Sequence, residues 1–233
     1  MTILGIDTAG RTMSVALLEN DTLLCEQTLA TGLTHSETLL PTVDAVLKAA
    51  GKTCADIDLF GVCAGPGSFT GLRIGLCAVK GLAFPANTPC AAVSTLEALA
   101  WSHVGTGTVV AAQDARRGEV YWAAFDLATH QRITPDTASP VEKIRAVAET
   151  CPKPLLFVGD GAYLCESAFS AVPGVLPCPA ALRAARAAGV CLAAKAMAER
   201  GETCPPAALL PSYHRLSQAE RQRAERLAQT TEG

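Results

Sequence analysis

Two stretches of the chain repeat one pattern about 100 residues apart, and this repeat limits the possible folds more than any other feature. Residues 3–9 and 13–18 form an apolar run, a short polar turn and a second apolar run. Residues 109–116 and 119–125 follow the same plan. Apolar runs of this length joined by short polar turns predict strand hairpins. The spacing is too long for a solenoid repeat and indicates two similar lobes.

A second pair of matching stretches supports an internal duplication. Residues 62–67 run from an apolar strand into a glycine turn, and residues 157–161 do the same. Asp7 and Asp114 stand at equivalent places, at the end of the first strand of each half. Strands that alternate with helical segments predict mixed α/β layers in which helices cover a sheet. A chance similarity between apolar strands is the alternative.

The glycine-rich stretch at residues 65–75 joins an apolar strand to a segment with helical spacing. This order brings a backbone close either to a phosphate group or to another helix. Ser68 is the expected N-cap of the helix. Gly71 and Gly75 lie one turn apart and leave one ridge bare. Because each glycine costs up to ~1 kcal/mol relative to alanine in a helix, we expect a compensating close contact.

Further helices are predicted from caps and apolar stripes. Residues 34–37 have capping-box spacing and begin a helix with an apolar stripe, in which Pro41 should produce a kink. Residues 94–97 form a second capping box. An unbroken alanine-rich helix is expected over residues 180–200, and a charged helix over residues 217–229.

Composition narrows the classes of function. The 233 residues are 49% hydrophobic, which is ample for a packed core. The formal net charge of −3 argues against strong nucleic-acid binding by this chain alone. The ten cysteines are too widely spaced for zinc or redox pairs, and free thiols are expected. Without an apolar run long enough to span a bilayer or a basic leader, the chain is expected to be cytoplasmic.

The candidate chemical groups stand at strand ends. Asp7 and the turn after it could hold a metal-bound phosphate, or Asp7 could cap its own turn. Asp114 stands beside Arg116 and Arg117, and pairing with these arginines is the preferred interpretation. The sequence lacks a nucleophile elbow, a complete P-loop and a dinucleotide fingerprint.

Four blocks in a fixed order resemble a known family. They are residues 7–17, the glycine stretch 65–75, residues 93–100 and residues 114–121. Residues 211–215 match the family again, whereas Gln113 departs from it, because an apolar residue is usual at that position. On these blocks the chain resembles the bacterial TsaB (YeaZ) family.

The resemblance implies an actin-like, sugar-kinase-like α/β fold of two duplicated ribonuclease-H-like lobes, with mixed sheets flanked by helices. The lobes would be residues 1–104 and 105–216, followed by a charged tail at 217–233. The implied role is a non-catalytic scaffold that binds the related catalytic subunit TsaD, together with the TsaE ATPase. That assembly transfers threonylcarbamoyl to N6 of the adenosine beside the anticodon of tRNAs. An independent magnesium-dependent ATPase or phosphotransferase is the alternative.

The resemblance also implies site residues. TsaD carries a His-x-x-x-His metal pair, but here Leu39 follows His35 at the second position, so neither a metal nor a catalytic residue is expected. Family members pair through the helices that begin here near Thr34 and Ser68, which would make the glycine ridge a docking surface. The implied partner interface is His35, Glu37, Leu39, Val43, Thr70, Gly71, Arg73, Ile74 and Gly75. The implied vestigial phosphate loops are Asp7, Thr8, Gly65, Gly67, Asp114, Gly159 and Gly161.

Expectations for ligands and partners follow from the same resemblance. No cofactor of its own is expected, and ATP or ADP could bind at a partner interface. TsaD and TsaE homologues are the expected partners, with a homodimer for the chain alone. The tRNA would be reached indirectly through the complex, and no membrane contact is expected. A Gly75→Leu variant is expected to stay folded but to lose pairing.

Overall fold

The computed structural model describes residues 1–215 as two lobes with the same strand order. The strands of the first lobe are β1 (Thr2–Asp7), β2 (Met13–Glu19), β3 (Thr22–Leu29), β4 (Leu59–Gly65) and β5 (Cys90–Ser94). Those of the second lobe are β6 (Thr108–Arg116), β7 (Glu119–Asp126), β8 (Thr137–Pro140), β9 (Leu155–Val158) and β10 (Val175–Leu176). The sheet orders β3-β2-β1-β4-β5 and β8-β7-β6-β9-β10 correspond strand for strand.

Strand directions also match between the lobes. The first three strands of each lobe are antiparallel, and the fourth and fifth run parallel to the first. The duplication predicted from the repeated sequence pattern is therefore confirmed.

Helices cover both sheets. The α-helices within residues 1–215 are α1 (His35–Ala49), α2 (Phe69–Ala83), α3 (Thr95–Trp101), α4 (Arg145–Thr150), α5 (Ala162–Phe169), α6 (Ala180–Arg183) and α7 (Ala187–Glu199). In the first lobe, α1 and α2 lie side by side on one face of the sheet, and their apolar stripes complete its core.

The two lobes exchange one helix each. Although α3 follows the first sheet in sequence, its Leu96 and Leu99 pack with Phe125 of the second sheet. In return, α7 lies across the first sheet, where a Cβ on Gly5 would be 2.6 Å from the Cys191 sulfur. Two ribonuclease-H-like sheets joined in this way form the actin-like, sugar-kinase-like fold that the resemblance implied.

The predicted helix over residues 180–200 is interrupted, because Ala184 is extended and α7 begins only at Ala187. The N–H of Ala187 donates to Ser14 Oγ at 3.0 Å, and the N–H of Ala188 donates to Glu26 Oε1 at 3.0 Å. These acceptors belong to the first lobe and satisfy amides that a helix start leaves open. The beginning of α7 is therefore set by tertiary contacts.

Helix caps agree with the sequence in part. Ser68 Oγ accepts from the N–H of Gly71, and Ser94 Oγ accepts from the N–H of Glu97, each at 3.3 Å, as predicted. Thr34, however, makes no side-chain cap at the start of α1, and the helix continues through the exposed Pro41.

The segment Phe69–Ala86 is long and apolar enough to span a membrane, contrary to the expectation that no run would be. In the structure, Leu72, Leu76 and Val79 of this segment are buried in the core of the first lobe. One face packed on a sheet is typical of a core helix, and we describe α2 as one. The helix predicted over residues 217–229 lies outside the described residues.

Candidate functional site

The turn after β1 is closed by contacts with the start of α2. Asp7 Oδ1 accepts a hydrogen bond from the N–H of Ala9 at 2.8 Å. Thr8 Oγ1 donates to the carbonyl of Gly71 at 2.8 Å, and the N–H of Ser68 donates to the carbonyl of Ala9 at 2.8 Å. Of the two roles considered for Asp7, the structure has the carboxylate capping its own turn.

Gly71 and Gly75 face the interior of the first lobe. A Cβ on Gly71 would lie 2.0 Å from the Thr8 carbonyl oxygen, and one on Gly75 would lie 2.4 Å from Thr8 Oγ1. The close contact expected for the glycine ridge is therefore made with the β1 turn. The expectation of a bare docking ridge is wrong. Because a leucine has no room at position 75, we now expect the Gly75→Leu variant to be destabilised.

Burial dominates the electrostatics of the β1 turn. It raises the pKa of Asp7 from 3.8 to about 6, against the opposing effects of the Ala9 amide and the neighbouring Cys63 thiol. Asp7 Oδ2 is buried, and no group within residues 1–215 lies at hydrogen-bonding distance and angle from it. Burial also raises the pKa of the Cys63 thiol, and the nearby Asp7 carboxylate raises it further. A carboxyl enclosed in this way is poorly placed to hold an external metal-bound phosphate.

The turn after β6 repeats this hydrogen bonding in a more open setting. Asp114 is exposed, and its Oδ1 accepts from the N–H of Arg116 at 2.7 Å. Its own N–H donates to Asp160 Oδ1 at 2.9 Å. The ion pairs expected between Asp114 and the guanidinium groups of Arg116 and Arg117 are not formed within residues 1–215, so that interpretation is corrected.

In each lobe a glycine turn packs on the end of the first strand. A Cβ on Gly67 would lie 2.6 Å from the Ala9 carbonyl oxygen, and one on Gly159 would lie 2.1 Å from that of Ala112. The structure therefore assembles the implied phosphate loops into two equivalent groups, whose phosphate binding remains a prediction. They are Asp7, Thr8, Gly65 and Gly67 in the first lobe, and Asp114, Gly159 and Gly161 in the second.

A cleft of about 170 Å³ lies between the lobes, beside the β1–β2 turn and the glycine turn that follows β9. Arg11, Gln113, Asp160 and Tyr163 are among the residues that line it. Gln113 is buried, and its Oε1 has no partner within residues 1–215. Burial raises the pKa of Asp160, the Asp114 amide and the Arg11 charge lower it, and the Asp114 charge raises it. Ligand pockets are typically about 300–1,000 Å³, and this cleft is smaller.

The last described residues, 211–215, cross from one lobe to the other, and we call them the C-terminal strap. The N–H of Ser212 donates to the carbonyl of Ala64 at 2.7 Å. The Tyr213 ring stacks on Phe69 with centroids 4.1 Å apart, and its hydroxyl accepts from Arg73 Nε at 2.9 Å. These contacts fix the strap on the first lobe.

Arg215 fixes the other end of the strap on the second lobe. It forms an ion pair with Glu119 and donates to the carbonyl of Ala115 at 2.9 Å. The strap therefore ties the start of α2 to the β6–β7 hairpin. The sequence reasoning missed this role, because the two ends meet partners 140 and 100 positions away.

The residues of the implied partner interface divide into two sets. Leu39 and Val43 are buried in the first core, like Gly71 and Gly75, so these four cannot present a side chain to a partner, and the interface is corrected there. His35 is half-buried, and its Nε2 donates to the carbonyl of Gly10 at 3.0 Å. The remaining four reach the outer surface: Glu37, Thr70, Arg73 and Ile74.

Potential ligands for metals are dispersed. Within residues 1–215 no three His, Cys, Asp or Glu side chains form a group that could hold a metal ion. The ten cysteines are free, which confirms the expectation of unpaired thiols.

Arg11, Gln113 and Tyr163 of the cleft were not among the site residues expected from the sequence. The position of Arg11 in the same hairpin turn as Asp7 was an available signal. Gln113 stood out only as a polar residue inside an apolar strand, and nothing in the local sequence marks Tyr163 on α5.

Comparisons with known proteins agree with this architecture. A family model described as "TsaD: tRNA N6-adenosine threonylcarbamoyltransferase" matches residues 30–223. The "tRNA threonylcarbamoyladenosine biosynthesis protein TsaB" of Bacillus subtilis (strain 168) is 34% identical over 168 residues, which are 70% of this chain and 73% of that protein. The protein of the same name from Escherichia coli (strain K12) is 43% identical over 133 residues, 54% of this chain and about half (55%) of that protein's length.

A solved structure extends the match over the fold. The structure described as "YeaZ from Pseudomonas aeruginosa" superposes with a TM-score of 0.76 at 30% identity, covering 91% of this chain and 99% of that one. The chain therefore belongs to the TsaB (YeaZ) family.

Proposed function

We propose that this chain is the scaffold subunit of a tRNA-modifying assembly. It binds a TsaD-family catalytic subunit, together with the TsaE ATPase, in the cytoplasm. The assembly transfers threonylcarbamoyl to N6 of the adenosine beside the anticodon. Its family members in Escherichia coli and Bacillus subtilis are named for the biosynthesis of this modified nucleoside. Membership of the family supports a role in that biosynthesis, and the surface of the first lobe supports a non-catalytic scaffold role.

The outer surface of α1 and α2 is the observation that carries the scaffold role. We call it the α1–α2 face and define it by Glu37, Leu40, Arg73, Ile74 and Cys77. Leu40 is 54% exposed although it is apolar, and Ile74 is half-buried beside the exposed Cys77. Apolar side chains rimmed by charged ones are typical of a protein interface. A helix pair from a related subunit could cover this strip.

The inter-lobe region supports a partner role over independent catalysis. The cleft is smaller than typical ligand pockets, and the Asp7 carboxyl is enclosed by its own turn. We therefore place ATP or ADP at the interface with the partner subunit. The alternative, a magnesium-dependent ATPase, predicts ATP turnover by the purified chain alone, with loss of turnover in an Asp7→Ala variant.

Calorimetry with the cognate TsaD-family protein tests the scaffold role. The unaltered chain should bind this protein at micromolar concentrations, with or without added nucleotide. A Leu40→Glu variant should bind at least about tenfold more weakly, because it places a charge in the apolar part of the interface. Leu176→Glu is the matched control, since Leu176 is 48% exposed but lies on β10 of the other lobe.

Two outcomes would contradict the proposal. One is no complex with the unaltered chain, and the other is normal affinity of the Leu40→Glu variant. ATP binding to the isolated chain would favour the ATPase alternative. The homodimer expected for the chain alone would use the same face, so its dissociation should accompany partner binding.

A further inference from the structure

We propose that the β1–β2 and β6–β7 hairpin turns contact the phosphate backbone of the tRNA through Arg11, Arg116 and Arg117. This inference rests on the proposed function, because it takes the tRNA to be bound by the whole assembly. It adds a direct contact where the sequence led us to expect only an indirect one.

The three arginines are exposed and unpaired. Among the lysines and arginines of residues 1–215, most are engaged by a carboxylate, a carbonyl or a hydroxyl group. Those without an ion pair or side-chain hydrogen bond in this part of the chain are Arg11, Lys80, Arg116, Arg117 and Lys143. Three of these five side chains stand on the two equivalent hairpin turns. Their charges are therefore available for an external anion.

The backbone of the β6–β7 turn is unfavourable for arginine. Arg116 and Arg117 have φ angles of 64° and 60°, in the left-handed region, and Gly118 follows at 76°. Two-residue hairpin loops with this backbone usually contain Asn-Gly, because other side chains are strained there. Each left-handed residue with a side chain costs roughly 1–2 kcal/mol. Strained positions of this kind cluster at functional sites, so two unpaired arginines here point to binding.

Asp160 lies near both turns. A Cβ on Gly10, next to Arg11, would lie 3.8 Å from Asp160 Oδ2, and the Arg11 charge lowers the pKa of this carboxyl. Asp160 also accepts from the N–H of Asp114, which in turn accepts from the N–H of Arg116. One oxygen of each of these two carboxylates accepts a backbone N–H bond, and Glu119 is paired with Arg215. None of these carboxylates forms an ion pair with the three arginines within residues 1–215.

The chemistry of the surface favours a large polyanion. The cleft that Arg11 lines holds only about 170 Å³, so its guanidinium group faces a ligand that remains outside, and Arg116 and Arg117 are exposed on the β6–β7 turn. Arginine binds phosphate oxygens through two parallel N–H bonds, and an RNA backbone offers these oxygens in series. With a net charge of −3 the chain alone should bind RNA weakly, so the contact would act on tRNA already held by the complex.

A salt titration of tRNA binding tests this inference. The probe is a transcript of a tRNA that reads codons beginning with A, and the protein is the complex of this chain with its TsaD-family partner. An Arg116→Ala/Arg117→Ala variant should bind about tenfold more weakly at low salt. The slope of log affinity against log salt should fall by about 1–2, because each phosphate contact contributes roughly 0.7–0.9.

Two controls separate a lost contact from a damaged fold. Arg117→Asn removes one charge but suits the left-handed backbone, so it should keep or raise thermal stability while weakening tRNA binding. Lys143→Ala/Arg145→Ala removes two exposed charges elsewhere on the second lobe and should leave the slope unchanged.

Unchanged affinity and slope in the Arg116→Ala/Arg117→Ala complex, with modification activity retained, would overturn the inference and leave the proposed function standing. Failure of the unaltered chain to form the complex would count against the proposed function, and the inference would fall with it.

Discussion

The two lobes share one backbone plan but use the end of their first strand differently. In the first lobe Asp7 is buried, and the fifteen-residue α2 packs on its turn through Gly71. In the second lobe Asp114 is exposed, α5 has eight residues, and the turn carries two arginines. Both lobes keep the hydrogen bond from a backbone N–H to the aspartate of this turn. The turn is buried under a helix in the first lobe and exposed to solvent in the second.

The largest effect is expected from opening the closed turn of the first lobe. A Cβ on Gly71 would lie 2.0 Å from the Thr8 carbonyl oxygen, so a Gly71→Ala variant must displace backbone. We expect its free energy of unfolding in urea to fall by about 2–3 kcal/mol. Gly81→Ala is the control in the same helix, because its Cβ meets nothing within 4 Å and alanine should stabilise by up to ~1 kcal/mol. Equal unfolding midpoints for the two variants would show that the turn is not closed.

An effect of similar size, but visible only as a dependence on pH, is expected from the buried carboxyl. Because the pKa of folded Asp7 is raised from 3.8 to about 6, the folded chain holds this proton more tightly than the unfolded chain. The protonated Asp7 carboxyl therefore contributes to the free energy of unfolding below about pH 4, and this contribution is lost as the pH rises through 6. Asparagine carries no charge, so the stability of Asp7→Asn relative to the unaltered chain should rise by about 2–3 kcal/mol between pH 4 and 7.5.

Asp126 in the second lobe provides a control of opposite sign. Hydrogen bonds from the N–H and hydroxyl of Thr129 lower the pKa of Asp126, so its carboxylate stabilises the fold above the unfolded pKa and this support is lost in acid. The relative stability of Asp126→Asn should therefore fall as the pH rises from strongly acidic values. A relative stability of Asp7→Asn that does not change with pH would contradict the raised pKa of Asp7.

The smallest effect concerns the helix that closes the first turn. Ser68 Oγ caps α2 by accepting from the N–H of Gly71, whereas Gly161 at the start of α5 offers no side-chain cap. Ser68→Ala should lower the melting temperature by an amount equivalent to about 1 kcal/mol. Thr34→Ala should cost less than about 0.5 kcal/mol, because Thr34 makes no side-chain cap. If Ser68→Ala and Thr34→Ala lose the same amount of stability, the hydrogen bond of the Ser68 cap does not stabilise α2.

Local patterns predicted much of the fold. The repeated hairpins gave the correct duplication, because strand period and turn residues are encoded within a few positions. The caps at Ser68 and Ser94 were predictable for the same reason. Other features depend on distant partners. The helical spacing of Gly71 and Gly75 indicated a close approach, but it could not show that the neighbour is Thr8 and not a second molecule.

The candidate site was less accessible from the sequence. The expectation that α1 and α2 form the partner interface came from the family resemblance. Leu40 and Arg73 differ from the buried Leu39 and Val43 only in being exposed to solvent, which the sequence does not show. Alanine content alone could not place the start of α7, because Ser14 and Glu26 of the first lobe set it. The contacts of Tyr213 likewise require knowledge of the completed fold.

The helix exchange sets an order for folding during synthesis. The face of the first sheet that carries Ile3, Leu18 and Leu59 is covered by α7, and the hydroxyl of Ser14 meets Ala187 across 173 positions of sequence. A chain that leaves the ribosome from its N-terminus therefore exposes this apolar face until α7 has emerged. The first lobe is therefore completed only after residues 187–199, which form α7, have been synthesised.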